Sequence, residues 1–309
     1  MTVLWQFFSH SATFPRTTRM KPFESHSGGK SVSVKFRFEI SDIWQNPDLV
    51  LNMATSWAEK IPALLLTKVP YVSAVTLLML LAERAKNETY PPLHPMLIYV
   101  NLGLYIFVGI LMSLKVRVKE ACLLYVGQLI FMTYNVNMNS KMNYLMKDRH
   151  KISLRCLGCM GIFILYVHLQ NSKNSSSKKN AILRRIGELV VGFYLVLSAY
   201  YINDSYEDKR AIQYLFVGHD WSRYFITLIY AASGVCFLSG YFLKDISISL
   251  VFLLLLYTGF VDLRIDYWQS RGILFWDQIR LIVDHVTLII GFIYLSSKYD
   301  NEIEVDKLL

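Results

Sequence analysis

The chain has 309 residues, of which 54% are hydrophobic and 18% are charged, and its formal net charge is +9. A soluble domain is about one-quarter charged, so this composition argues against one. The positive charge would suggest nucleic acid in a soluble protein, but no nucleic-acid-binding motif is present. Instead, Lys and Arg gather in short polar segments between long apolar runs. Polytopic membrane proteins show this pattern, and their basic loops face anionic lipid head groups. The predicted partner is therefore the lipid bilayer and not nucleic acid.

Residues 1–52 differ in composition from the rest of the chain. Their first acidic residue is Glu24, whereas basic residues such as Arg16, Arg19 and Lys21 are interspersed with Ser and Thr. We interpret this basic, Ser-rich and acid-poor segment as a disordered N-terminal extension. A mitochondrial transit peptide has a similar composition and is the alternative interpretation.

Long apolar runs follow this extension. They lie at 61–83, 94–114, 120–137, 152–170, 186–203, 223–243, 246–262 and 276–297. A helix rises 1.5 Å per residue, so about 20 residues cross a hydrocarbon core about 30 Å thick. The sequence predicts an all-α membrane protein with about eight transmembrane helices. The transmembrane domain occupies residues 53–297, and residues 298–309 form a cytosolic tail.

The eight runs repeat with an internal offset close to 125 residues, so that the first four starts recur in the last four. This offset predicts two parallel four-helix halves, at about 61–170 and 186–297, because an even number of spans returns the chain to the same side. The alternative is that unrelated apolar helices simply look alike.

The distribution of Lys and Arg between loops predicts the orientation. The loops at 115–119 and 171–185 carry more of them than the opposing loops do, where Lys141, Lys147, Arg149 and Lys151 occur. Loops rich in Lys and Arg stay in the cytosol. We therefore expect both termini to be cytosolic; the organelle is not predicted.

Ionisable residues inside the apolar runs are candidates for function, because each costs a few kcal/mol to insert. The eight candidates are Lys68, Arg155, Glu188, Asp262, Asp277, Arg280, Asp284 and His285. Five of them lie near predicted helix ends, where side chains reach head-group water: Arg155, Glu188, Asp262, Asp277 and Arg280. Lys68 lies two residues before Pro70 and is placed to satisfy a carbonyl that the proline frees.

The last helix carries a candidate intramembrane polar cluster. Asp277, Arg280, Asp284 and His285 are spaced i, i+3, i+7 and i+8, which places them on one helix face. Both flanking carboxylates are within reach of Arg280, and pairing lowers the cost of burying charge. Such a face either lines a polar path or locks helices together.

No motif of a catalytic, metal or cofactor site is present in the sequence. The histidines are scattered without metal-ligand spacing. Cys156 and Cys159 form a C-x-x-C, but it lies within an apolar run with no second pair, so we interpret both as small buried hydrophobic residues. The sequence predicts a protein that is not an enzyme and has no cofactor.

Several short motifs resemble the transmembrane protein 101 family. They are Leu80-Leu-Ala-Glu-Arg-Ala85, Gly187-Glu-Leu-Val-Val-Gly-Phe-Tyr-Leu, Glu207-Asp208 with Arg210, Phe237-Leu-Ser-Gly-Tyr241, Asp262, Tyr267-Trp268 and Phe275-Trp276-Asp277-Gln278. The resemblance runs from about Met53 to the end of the last helix. The family typically has an amide at the position of Asp277 and a lysine at that of Arg280, so the acidic face is a feature of this chain.

The resemblance implies a multi-pass membrane protein that acts as a positive regulator of NF-kappa-B signalling, with an unknown signalling protein as its partner. No catalytic residues come with it. A transporter of a small molecule or lipid is the alternative, because the sequence has duplicated halves and a charged last helix. A redox membrane subunit of the DoxX kind, whose four-helix units each half faintly resembles, is a third interpretation. The Cys and His pattern argues against it.

Overall fold

The structure is a computed structural model that describes residues 47–86, 95–138, 146–171, 178–213 and 220–308. The described residues all belong to one compact unit, Pro47–Leu309. The predicted extension at 1–52 therefore lies largely outside the described residues. The helices are α1 (Pro47–Lys86), α2 (Pro95–Ser113), α3 (Val118–Met138), α4 (Met146–Asn171), α5 (Lys178–Asp204), α6 (Tyr206–Gln213), α7 (Asp220–Ser239), α8 (Leu243–Tyr257), α9 (Ile265–Gln269) and α10 (Phe275–Leu308).

The predicted all-α class is confirmed, since the described residues contain helices and no strand. Each of the eight predicted runs corresponds to one long helix. By length and composition, six described segments are apolar enough to cross a membrane: Glu59–Lys86, Met96–Ser113, Arg149–Gln170, Asp220–Ser239, Leu243–Asp262 and Phe275–Tyr299. The other two long helices, α3 and α5, contain more polar residues.

Several helix boundaries differ from the predicted ones. Helix α1 begins at Pro47, well before the predicted start at residue 61, and α10 continues through the predicted tail to Leu308. Helix α7 ends at Ser239 because Gly240 adopts a left-handed backbone with φ of 83°, which terminates the helix. Helix α8 widens into a π-helical turn at Thr258–Asp262, where the amide of Leu263 donates to the carbonyl of Thr258.

Helix α4 is the central helix of the described bundle. It is buried on nearly all sides between Arg149 and Gln170, as a helix surrounded by other helices must be. Its glycines permit close approach: a Cβ at Gly158 would lie 2.9 Å from Leu288 of α10, and one at Gly161 would lie 2.6 Å from Val191 of α5. Small residues at such crossings let helix backbones approach within a bilayer.

Helix packing follows the same order in both predicted halves. In the first, α1 contacts α2, α2 contacts α3, and α3 contacts α4; in the second, α5 contacts α7, α7 contacts α8, and α8 contacts α10. Between the halves, the last helix of each packs on the first helix of the other, in the pairs α4–α5 and α10–α1, and α4 also contacts α10. The last helix of each half therefore packs both within its own half and against the first helix of the other half.

Two close helix crossings at glycine residues occupy corresponding positions in the two predicted halves. Gly109 of α2 is crossed by Tyr71 of α1, where an added Cβ would lie 2.8 Å from the ring. Gly234 of α7 is crossed by Val196 of α5, where an added Cβ would lie 2.7 Å from the side chain. Both residues of the second crossing lie 125 positions after those of the first. The two crossings are therefore in the same register within their halves.

Candidate functional site

A buried ion-pair network joins α4, the end of α8 and α10. The guanidinium of Arg155 donates to Asp262 Oδ1 at 2.8 Å and to the carbonyl of Leu281 at 2.7 Å. On the other carboxylate oxygen, His285 Nδ1 lies 2.6 Å from Asp262 Oδ2. Arg155 is 3% exposed and Asp262 is fully buried. Arg155 therefore does not reach outward to head-group water, as its predicted position near a helix end suggested, but is satisfied inside the protein.

Lys151 and Asp208 extend the network to α6. Lys151 Nζ lies 2.9 Å from Asp208 Oδ1 and 3.9 Å from Asp262 Oδ1, and it stacks 4.0 Å from the ring of Trp268. Asp208 also accepts from the hydroxyl of Tyr257 at 3.0 Å. We name Lys151, Arg155, Asp208, Asp262 and His285 the central ion-pair network. Its two cations and two carboxylates balance when His285 is neutral, which lowers the cost of burying them.

Asp208 lies outside the candidate membrane-spanning segments, and its surroundings favour the charged carboxylate. Burial alone would raise the pKa of Asp208, because it removes water from the charged form. The adjacent Lys151 ammonium and the bonds from Ser205 and Tyr257 outweigh burial and hold the pKa of this carboxyl below its usual range. The ion pair with Lys151 therefore persists at neutral pH.

A polar cavity of about 30 Å³ lies beside this network. We name it the first polar cavity. It is lined by Lys151, Leu154, Arg155, Tyr194, Ser198, Tyr201, Ile202, Tyr230, Tyr257 and His285. A water molecule needs roughly 10–15 Å³ of such space, so the cavity has room for a few waters at most.

A second polar cavity of about 20 Å³ lies between the first three helices and α10. It is lined by Ser73, Thr76, Leu77, Tyr105, Leu129, Met132, Arg280, Val283 and Asp284. Within the described part of the chain, one carboxylate oxygen of Asp284 has no hydrogen-bond partner, although the residue is only 9% exposed. A buried polar atom of this kind is expected to hold a water molecule.

The two polar cavities have equivalent linings. Ser73 and Ser198 are separated by 125 positions, and so are Tyr105 and Tyr230. The same separation relates Arg155 in the first cavity to Arg280 in the second. In each case the arginine comes from the last helix of one half, whereas the serine and tyrosine come from the other half. Each cavity is therefore completed by the last helix of the other half.

The seam between α1 and α10 carries ion pairs at both ends. Arg84 contacts Asp277 at 3.1 Å, with both residues about 4% exposed, and Glu59 pairs with Lys298 at the opposite end. Glu83 accepts the amides of Phe275 at 3.1 Å and Trp276 at 2.9 Å, and so caps the start of α10. Charged side chains therefore fix the first described helix to the last.

The remaining predicted residues, Glu188 and Lys68, lie away from both cavities. Glu188 is 3% exposed and pairs with Arg184 at 2.8 Å and Arg185 at 3.5 Å, in the first half of α5. The ammonium of Lys68 donates to the hydroxyl of Ser113 at 3.0 Å, which links α1 to α2. Lys68 therefore links two helices, whereas the two ion pairs of Glu188 lie within α5.

The four residues of the predicted polar cluster on α10 face three different helices. Asp277 meets Arg84 of α1, Arg280 lies 4.0 Å from the sulfur of Cys156 on α4, and His285 meets Asp262 at the end of α8. Asp284 shares the second polar cavity with Arg280. The structure therefore divides the cluster between the α1 seam, the second cavity and the central network.

Sequence reasoning missed Lys151 and Asp208 as members of a site. Lys151 was assigned to a loop, but it lies in α4 and is 5% exposed. Asp208 lies in the short helix α6, within the Glu207-Asp208 motif that carried the family resemblance. That motif was the available signal, since no periodic pattern links the two residues.

The cysteines are thiols without a disulfide. Cys122, Cys156 and Cys159 are buried, and Cys236 is partly exposed. Among the described residues no group of three His, Cys, Asp or Glu side chains is placed to hold a metal ion.

The sequence model of the TMEM101 protein family matches residues 51–298, which include every residue of the central network and both polar cavities. No solved structure matches the chain.

Proposed function

The chain belongs to the TMEM101 protein family, and from that premise we propose that it is a non-enzymatic, multi-pass membrane protein that promotes NF-kappa-B signalling. The family resemblance supplies the signalling role. The observation that supports a non-catalytic bundle is the central network, where Arg155 and Lys151 both form ion pairs with Asp262. Such groups hold helices together, and the surfaces outside the membrane then contact a signalling protein.

An NF-kappa-B reporter in cells lacking the protein tests this proposal. Reporter output is expected to rise with the amount of re-expressed protein. The control is an unrelated multi-pass membrane protein at the same level, because membrane overload alone can activate stress signalling. A reporter that responds equally to both proteins, or to neither, would contradict the proposal.

A transporter of a small molecule or lipid is the second candidate function, and the equivalent polar cavities support it. We propose that the two four-helix halves arose by duplication and are related by a parallel repeat, as in transporters whose halves rock around a central site. The last helices of the two halves, α4 and α10, place Arg155 and Arg280 in equivalent cavities. Each cavity is only water-sized, so a larger solute would require the halves to move.

Flux measurements separate the two candidates. If the protein is a transporter, uptake or efflux of a solute tracks expression and is lost in Asp284→Ala, which removes the carboxylate from the second cavity. Glu188→Ala is the matched control, since this carboxylate is buried but lies in neither cavity. Expression-dependent flux that both variants retain would argue against transport through these cavities.

A further inference from the structure

A cleft of about 550 Å³ runs over one side of α4, between α3 and α5. It is far larger than either polar cavity. Its apolar wall is formed by Leu157 and Met160 of α4 and by Leu197 of α5. Leu197 is 43% exposed, and its α5 neighbour Phe193 is 54% exposed. The cleft is therefore continuous with a surface of exposed apolar side chains, which a bilayer would cover.

The opposite end of the cleft is polar. His150 and Ser153 lie at the beginning of α4, and Asp204 lies at the end of α5, so the three side chains share one end of the bundle. His150 and Met160 are separated by about 15 Å along the helix, at 1.5 Å per residue. A candidate span begins at Arg149, which places the polar end at the level of lipid head groups.

The polar end favours a cation. Asp204 is an exposed carboxylate, and Tyr200 beside it is 68% exposed and presents an aromatic ring. An ammonium group binds to a carboxylate and to the face of an aromatic ring. Of the described residues that line the cleft, none is Lys or Arg. An anionic head group therefore meets no permanent cation among the described lining residues.

We propose that this cleft binds one membrane phospholipid. One of its acyl chains lies against Leu157, Met160 and Leu197. Its ammonium head group lies at Asp204 and Tyr200. The observation that supports this proposal is the change in polarity along the cleft, from an aliphatic wall inside the membrane to a carboxylate at the interface. The inference does not rest on the signalling role or on transport, because a lipid can occupy this site in either case.

Lipid retention by the purified full-length chain tests the proposal. The protein is extracted in mild detergent, exchanged into phosphatidylethanolamine, phosphatidylcholine or phosphatidylglycerol, and analysed by native mass spectrometry. We expect one retained lipid with an ammonium head group. Leu157→Trp, which fills the cleft, is expected to lower retention several-fold. Asp204→Asn is expected to abolish the preference for ammonium lipids over phosphatidylglycerol.

The control is Leu228→Trp on α7, which is 66% exposed and lies outside the cleft. It is expected to retain lipid like the native chain. If Leu157→Trp fails to fold, Leu197→Trp on the opposite wall replaces it. Equal retention by native and cleft-filled chains, which indicates only a surrounding lipid annulus, would overturn the proposal. Preferential retention of phosphatidylglycerol would overturn the head-group assignment and with it the proposal.

Discussion

The guanidinium of Arg155 donates to Asp262 at 2.8 Å, across 107 positions of the chain. It joins the last helix of the first half to the third long helix of the second half. Neither residue reaches solvent, so the bond holds only while both halves are packed. The pair is therefore a direct test of whether the halves depend on each other for stability.

Breaking this pair on one side is expected to destabilise the protein strongly. Asp262→Asn leaves Arg155 and Lys151 facing a neutral amide, and a stranded buried charge costs about 3–5 kcal/mol. Arg155→Met combined with Asp262→Asn removes charge and counter-charge, so it should be less damaging than Asp262→Asn alone. Thermal unfolding in detergent can be followed with a thiol-reactive dye, because three cysteines are buried.

The control for that experiment is Asp220, whose side chain is 60% exposed and pairs with Arg223, which is 12% exposed. Asp220→Asn should change stability by about 0–1 kcal/mol, as surface ion pairs do. Additive effects of Arg155→Met and Asp262→Asn would show that the two side chains are not coupled.

Arg280 and Asp284 should also be coupled, through the second polar cavity. Arg280→Leu removes the arginine that lines the cavity with Asp284 and strands a buried acid, so it should lower the unfolding temperature. Adding Asp284→Leu should restore part of the loss. If the second substitution restores nothing and the losses simply add, the cavity is water-lined and the transporter candidate gains support.

Glycine substitutions test the two helix crossings. Gly234→Ala should destabilise the protein by about 1–3 kcal/mol, since the added Cβ would lie 3.1 Å from backbone atoms of α5. Gly109→Ala should cost less, because its added Cβ meets the side chain of Tyr71 rather than backbone. Gly103→Ala is the control: its Cβ meets nothing within 4 Å, and alanine favours helix by about 1 kcal/mol. Equal effects at all three positions would contradict the close crossings.

Topology gives a test that does not depend on stability. If both termini are cytosolic, a tag on either end should be protected from external protease in intact cells. A cysteine placed at Ser175, in the loop predicted to be cytosolic, should react with an impermeant reagent only after permeabilisation. Reaction at Ser175 in intact cells would reverse the orientation.

Much of the fold could be predicted because apolar runs of bilayer length encode helices directly. The boundaries were less predictable where structure depends on neighbouring elements. The π-helical turn at Thr258–Asp262, for example, positions the carbonyl of Asp262 to accept from Gln278 at 2.7 Å. Nothing in the local sequence of α8 indicates that a residue of α10 lies there.

The candidate site was predictable only in part. Helical periodicity placed the four charged and ionisable residues on one nominal face of α10, but it could not assign their partners. Three long helices, α1, α4 and α8, pack against α10, so Asp277 and His285 on one nominal face contact different helices. The pairing of Lys151 with Asp208 depends on packing between segments 57 positions apart, which the residue pattern does not encode.

The α1–α10 seam also sets an order of events during synthesis. Arg84 and its counter-ion Asp277 are separated by 193 positions. Glu83 caps the start of α10, the same helix that carries Asp277. At roughly 5–20 residues per second, the ribosome completes Asp277 about 10–40 s after Arg84. Throughout that interval three charged side chains of the first described helix, Glu59, Glu83 and Arg84, lack their native partners on α10. The nascent chain therefore needs a temporary polar environment for α1, such as the insertion machinery or the membrane surface, until its last helix arrives.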